Sequence, residues 1–245
     1  MMDKVALWMS EPSVSFGEIA YRQGFRTLIL DVEHGTFDLD SLDRFLGFSK
    51  ARGFRTLVKV LSPEVAPVQQ ALDFGADGVI IPHLMDIDHA RAICAAAKYP
   101  GLGSRSYTSA RASGYSRLTQ DDLGRRNRET RCYAMIETAE SLADVEKIAA
   151  LPTVDGLFPG PTDLSLSCGR GQYAFGPDHQ KDLERCAAAA EAAGKSWIMP
   201  GWSPAERKFA HDFGAEMLVS ANQYGSINLG LTTTVSMLEA EFAAF

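Results

Sequence analysis

Five times in this chain a helical pattern runs into a glycine, and an apolar stretch begins one or two residues later. The sites are Gly24-Phe25, Gly53-Phe54, Gly75-Ala76, Gly194-Lys195 and Gly214-Ala215. Glycine just past a helix end takes the left-handed conformation at little steric cost, so each pair marks a helix stop and a strand start. Repeated along the chain, the mark requires helices and strands to alternate rather than segregate. Read from this rhythm, strands fall at Val5–Met9, Thr27–Asp31, Thr56–Leu61, Gly78–Ile81, Tyr133–Ile136, Gly156–Phe158, Trp197–Met199 and Glu216–Val219. Between them, Leu39, Leu42, Phe45 and Leu46 form one apolar helix face, and Val65, Val68 and Leu72 another. Ser62-Pro63 and Ser203-Pro204 each read as a capping hydroxyl before a first-turn proline, with Asp86 and Thr138 as further caps. Eight strands and about eight helices in 245 residues predict a (β/α)8 TIM barrel, one domain spanning 1–245. A doubly wound open sheet is the competing arrangement, but no Gly-x-Gly-x-x-Gly follows the first strand.

One segment breaks the rhythm. From Pro100 to Arg131 the chain holds Gly101, Gly103, Gly114 and Gly124, five arginines between Arg105 and Arg126, and no clear period. That is too long for an ordinary strand-to-helix connection, so it reads as a lid or an oligomer contact, or else as a solvated surface loop.

Hydrophobic residues make up 46% of the sequence, enough for a large core. A net charge of −7 without any basic run argues against a nucleic-acid-binding surface. The cysteines Cys94, Cys132, Cys168 and Cys186 lack metal-like spacing and read as reduced thiols of a cytoplasmic protein. The first residues carry no signal-peptide pattern, and no apolar run reaches the 18 residues of a membrane span.

A barrel of this kind gathers its chemistry at the carboxyl ends of its strands. There the sequence puts Asp31-Val-Glu33-His34-Gly35 after the second strand, Lys59 on the third, Pro82-His83 after the fourth, Glu137 after the fifth and Gly160-Pro161-Thr162-Asp163 after the sixth. Glu137 and Asp163 read as an acid/base pair, as ligands of Mg²⁺ or Mn²⁺, or as caps of the helices they precede. Glycoside hydrolysis also uses paired carboxylates, but only 9% of the chain is aromatic, and sugar platforms need more. His34, flanked by Asp31 and Glu33, reads as a general base or as a hydrogen-bonded loop residue. His83 is a second candidate; His89, His179 and His211 read as solvated. Lys59 interrupts an apolar strand, where an amine can form a Schiff base, bind a carboxylate or pair with Asp31 or Glu33.

Taken in order, these residues resemble the HpcH/HpaI class II pyruvate aldolases of the phosphoenolpyruvate/pyruvate barrel group. The resemblance rests on Leu30-Asp31-Val-Glu33-His34-Gly35, Leu72-Asp73-Phe-Gly75-Ala76, Ile81-Pro82, Lys98-Tyr-Pro100, Ile136-Glu137-Thr138 and Val154-Asp155-Gly156-Leu-Phe-Pro-Gly160-Pro161-Thr162-Asp163-Leu164-Ser165. It implies that Glu137 and Asp163 bind a divalent metal (Mg²⁺, Mn²⁺ or Co²⁺). Backbone N–H groups around Gly160, Pro161, Thr162 and Asp163 would hold the carboxylate of a 2-oxo acid. His34, with Asp31 and Asp73 of a neighbouring subunit, would supply acid/base chemistry. It further implies a homohexamer, a trimer of dimers, with the last helix (about 228–242) exchanged between partners. The chain departs from the pattern at Lys59, where the family has arginine, at Gly103-Ser-Arg105-Ser, and at Ser220-Ala-Asn222-Gln223. The reading is therefore a divalent-metal-dependent aldolase that makes or cleaves 4-hydroxy-2-oxo acids, with an aldehyde as second partner. In it the metal stabilises a pyruvate enolate and Lys59 helps hold the charge. The alternatives are a Schiff-base lyase using Lys59 and a non-catalytic metal or oxo-acid binder.

Overall fold

The computed structural model describes residues 2–243. Its strands are β1 (Val5–Met9), β2 (Thr27–Asp31), β3 (Arg55–Lys59), β4 (Gly78–Ile81), β5 (Arg131–Ile136), β6 (Gly156–Pro159), β7 (Ser196–Pro200) and β8 (Met217–Asn222). The helices are α1 (Val14–Arg22), α2 (Leu39–Arg52), α3 (Val65–Asp73), α4 (Ile87–Cys94), α5 (Gln120–Glu129), α6 (Ala139–Ala143), α7 (Val145–Ala149), α8 (Pro161–Ser167), α9 (Pro177–Ala192), α10 (Pro204–Asp212) and α11 (Gln223–Phe242). Each strand pairs in parallel with the next, and β8 closes on β1, giving a shut eight-stranded barrel.

All eight expected strands are present. The third starts at Arg55 and stops at Lys59 rather than Leu61, and the eighth runs on to Asn222. The glycine marks act as read: Gly24, Gly53, Gly75, Gly194 and Gly214 all have positive φ. Ser203, Asp86 and Thr138 cap their helices. Ser62-Pro63 does not, because α3 begins two residues later at Val65 behind Glu64, whose side chain makes no cap bond. The segment after Glu137 is broken at Asp144 into α6 and α7.

Alternate residues of each strand face the barrel axis. Ala6, Ile29, Leu57, Ile80, Tyr133, Met135, Phe158, Ile198, Met217 and Val219 pack together as the inner core. The other strand faces, Leu28, Leu30 and Val58 among them, join the helices in a larger outer core. The inner core is plugged at the strand starts, where the Tyr133 hydroxyl donates to Glu216 at 3.0 Å and burial beside that carboxylate pushes the phenol up to about 12. The same alternation carries Asp31, Lys59 and Glu137 inward at the opposite, carboxyl end.

The 100–131 segment contains α5 and a single 3-10 turn. Arg105 pairs with Asp73 at 2.8 Å and Arg111 with Asp43 at 2.9 Å, pinning the segment along α3 and α2. No residue of it is among those lining the cavity at the barrel mouth of the same chain. From Tyr224 to residue 243 every residue is exposed, so α11 leaves its own barrel after its first turn.

Candidate active site

A cavity of about 360 Å³ opens at the carboxyl ends of the strands. Its lining includes Trp8, His34, Lys59, Met135, Phe158, Gly160, Pro161, Thr162, Asp163, Trp202 and Asn222. The polar members Ser10, His34, Lys59, Thr162, Asp163 and Asn222 come from the carboxyl ends of β1, β2, β3, β6 and β8 and the loops that follow them.

On one side, Lys59 is buried and its Nζ contacts Glu33 and, at 3.9 Å, Asp31 Oδ1. Asp31 also accepts the Trp8 indole N–H on Oδ2 and the His34 backbone N–H on Oδ1, each at 3.2 Å. Both oxygens of Asp31 are thus occupied in shaping the loop. The His34 imidazole instead approaches Glu33, with Nε2 3.6 Å from Oε2, and is 64% exposed. The partner in contact with the expected base is therefore Glu33, not Asp31. Burial alone would raise the Glu33 carboxyl, but Lys59, His34 and His83 outweigh it and hold the group below its ordinary range.

On the other side, Glu137 directly follows β5 and continues the inward alternation of Tyr133 and Met135. Its carboxylate is buried and accepts the His83 backbone N–H. A methyl on Gly160 would stand 2.9 Å from Glu137 Oε2, so the absence of a side chain there lets the acid reach past the start of α8. Burial raises the Glu137 carboxyl; the His83 N–H, His83 and Lys59 counter this, and the Asp163 charge adds to it. Asp163 lies in the first turn of α8, lines the cavity, and makes no ion pair among the described residues. Neither acid caps a helix: Thr138 caps α6, and the N-cap of α8 is Gly160.

Asp163 lines the cavity and its charge acts on Glu137, which lies behind Gly160 and outside the lining; a divalent cation is the group that would relieve the pair. Among the described residues no set of three or more His, Cys, Asp or Glu side chains converges on an ion site. Two protein oxygens with the other positions left to water and substrate suit Mg²⁺ or Mn²⁺.

Of the expected anion-holding groups, two drop out. The Gly160 N–H is spent on the Ile136 carbonyl at 3.0 Å, and Pro161 has no N–H. The N–H groups of Thr162 and Asp163 remain, as the first turn of a helix leaves them. Asp73 ends α3, bound to Arg105, and does not line its own chain's cavity. His179 is not solvated; it bonds Ser165 at 2.9 Å.

Trp8, Met135, Trp202 and Asn222 were not foreseen, and only Asn222 had a signal, in the departure at Ser220-Ala-Asn222-Gln223. Asn222 caps α11, while Gln223 Oε1 accepts the N–H groups of Ser10 and Glu11, tying the first loop to the last strand.

The model of the HpcH/HpaI aldolase/citrate lyase family matches residues 4–206. The 2-dehydro-3,6-dideoxy-6-sulfogluconate aldolase of Pseudomonas putida is 34% identical over 199 residues, covering 80% of this chain and 77% of that protein. The 2-keto-3-deoxy-L-rhamnonate aldolase of Salmonella gallinarum is 30% identical over 196 residues, covering 79% and 73%. An HpcH/HpaI aldolase structure from Desulfitobacterium hafniense DCB-2 shares the fold, with a TM-score of 0.88 at 24% identity over 97% of this chain and 93% of that one. The chain belongs to the HpcH/HpaI aldolase/citrate lyase family.

Proposed function

We propose that the protein is a divalent-metal-dependent aldolase that cleaves or forms 4-hydroxy-2-oxo acids, with pyruvate and an aldehyde as the two halves. The observation that carries this reading is the pair Glu137 and Asp163: the first is buried with His83 Nδ1 3.4 Å away, and the second lines a cavity of oxo-acid size with no ion pair among the described residues. Its named relatives being aldolases supports the same reading.

Glu137 and Asp163 would hold the cation, which when bound supplies Lewis acidity for the negative charge that develops on the oxo acid in carbon–carbon bond cleavage. The N–H groups of Thr162 and Asp163 would orient the substrate carboxylate. His34, with Glu33 beside it, would take the proton from the C4 hydroxyl as the C3–C4 bond breaks, releasing the aldehyde; protonation at C3 then gives pyruvate. Lys59, which contacts Glu33 and Asp31, would lend its charge at the carbonyl oxygen. Pyruvate release from 4-hydroxy-2-oxo acids is expected with Mg²⁺, Mn²⁺ or Co²⁺ and to vanish in excess EDTA; release that survives EDTA contradicts the reading.

A Schiff base at Lys59 is disfavoured. An amine that attacks a carbonyl must offer a free lone pair, and Lys59 Nζ is engaged by two carboxylates. Borohydride treatment with pyruvate is expected to leave the mass of the chain unchanged, and an adduct on Lys59 would reverse that assignment.

The free thiols agree with a cytoplasmic location, and among the described residues no helix is long and apolar enough to cross a membrane. We place the assembly as a homohexamer, a trimer of dimers, with α11 exchanged. Leu229, Leu231 and Met237 on α11 are 68%, 63% and 59% exposed, while Ile19 of α1 and Phe213 beyond α10 lie open on the barrel. Packing α11 of one chain into that open flank of another would cover both. In such an assembly Asp73 could serve a neighbour's cavity.

A further inference from the structure

His83 follows β4 and stands at φ 51°, a left-handed conformation that side chains with a Cβ rarely adopt. That turn aims two groups of one residue at two different acids. The backbone N–H donates to Glu137 Oε1, and the imidazole Nε2–H donates to Glu33 Oε1, with Nδ1 3.4 Å from Glu137 Oε1. The second oxygen of Glu33 is the one that meets Lys59 and, at 3.6 Å, the His34 imidazole. Half of the His83 side chain is exposed at the mouth, so it does not serve as core packing. A strained backbone kept at a cluster of ionisable groups points to a role there.

We propose that His83 is a positioning residue for the aldol reaction, linking Glu33, and through it Lys59 and His34, to Glu137. The proton-transfer side and the cation side of the site then keep one spacing. This deepens the aldolase reading and rests on it. Without the imidazole, Glu33 retains Lys59 but loses the donor that fixes the other oxygen, and small displacements of catalytic groups are costly in rate.

The test uses the full chain with His83→Asn, which tolerates positive φ but is too short to bridge both acids, and His83→Gly, which relaxes the turn altogether. Melting temperature, Mn²⁺ affinity (free Mn²⁺ by electron paramagnetic resonance), KM and kcat for pyruvate release are measured for each. In both variants kcat is expected to fall about 10- to 100-fold, as for other residues that orient a site's ligands. KM and Mn²⁺ affinity should stay within about threefold of wild type, with His83→Gly melting no lower. Should His83→Asn fold poorly, His83→Gly decides. Variants with wild-type kcat overturn the assignment alone. Parallel loss of Mn²⁺ affinity, with kcat restored by excess Mn²⁺, overturns it in favour of a metal ligand. A wild-type chain that releases no pyruvate removes the aldolase reading and this assignment with it.

Discussion

Glu137→Gln is expected to lower metal-dependent pyruvate release about a thousandfold, the scale of removing a principal charge-stabilising group from an active site. The substitution keeps the side chain's shape and an oxygen that can accept the His83 N–H, so the site should not collapse. It removes the anion that, with Asp163, would hold the cation. The same change should stabilise the metal-free protein. Burial raises the Glu137 carboxyl, so the folded state retains a proton that the unfolded chain has already released. Stability contributed this way falls as pH rises above the ordinary carboxylate range toward the raised value. In EDTA, the melting temperature of the wild type relative to Glu137→Gln should therefore decline over that interval. A variant with near-wild-type turnover, or with a pH profile parallel to wild type, would contradict this account of the residue.

The second large effect is structural. A Cβ on Gly35 would stand 2.1 Å from the Asp31 carbonyl oxygen and 2.5 Å from that of Ser10. Both are backbone atoms, and neither can swing aside as a side-chain tip would. The Thr36 N–H bonds the same Ser10 oxygen at 2.8 Å, so the turn cannot retreat without giving up that bond. Gly35→Ala should cost about 3 kcal/mol, the upper end for overpacking. In a chain of this size that lowers the melting temperature by roughly 6–12 °C. Because the turn carries Glu33 and His34, pyruvate release should fall even below the melting range. Thermal unfolding followed by circular dichroism checks the first effect; a variant melting within about 2 °C of wild type would show that the turn has room the geometry denies.

The barrel was legible because its signals are local. A glycine that must take positive φ, followed by an apolar run, fixes where five of the strands begin, and eight apolar runs in alternation with helices allow few closures. The carboxyl-edge residues were legible for the same reason: Glu137 follows β5 and Asp163 sits in the first turn after β6, and the two strands run in parallel. Of the contacts between strand ends, the pairing of Lys59 with Asp31 or Glu33 was legible and the others were not. His34 sits three residues from Asp31, yet its imidazole meets Glu33, because strand alternation turns Asp31 inward, where Trp8, 23 residues away, shares it. His83 was visible as a strand-end residue, but its hold on Glu33 spans 50 positions and depends on one unusual φ. The Gly160 N–H looked free until the β5–β6 register gave it to Ile136. Helix periodicity likewise could not say that α11 would leave its own barrel, since an apolar face reads the same whichever chain covers it.

The claim on which the account depends is that Glu137 and Asp163 share one cation. Titrating Mn²⁺ into the metal-free wild type, Glu137→Gln and Asp163→Asn, with free Mn²⁺ read by electron paramagnetic resonance, tests it without reference to turnover. The wild type should bind one Mn²⁺ per chain, and each variant should bind it at least about a hundredfold more weakly, as loss of one of only two protein ligands requires. Wild-type affinity in either variant would contradict the claim.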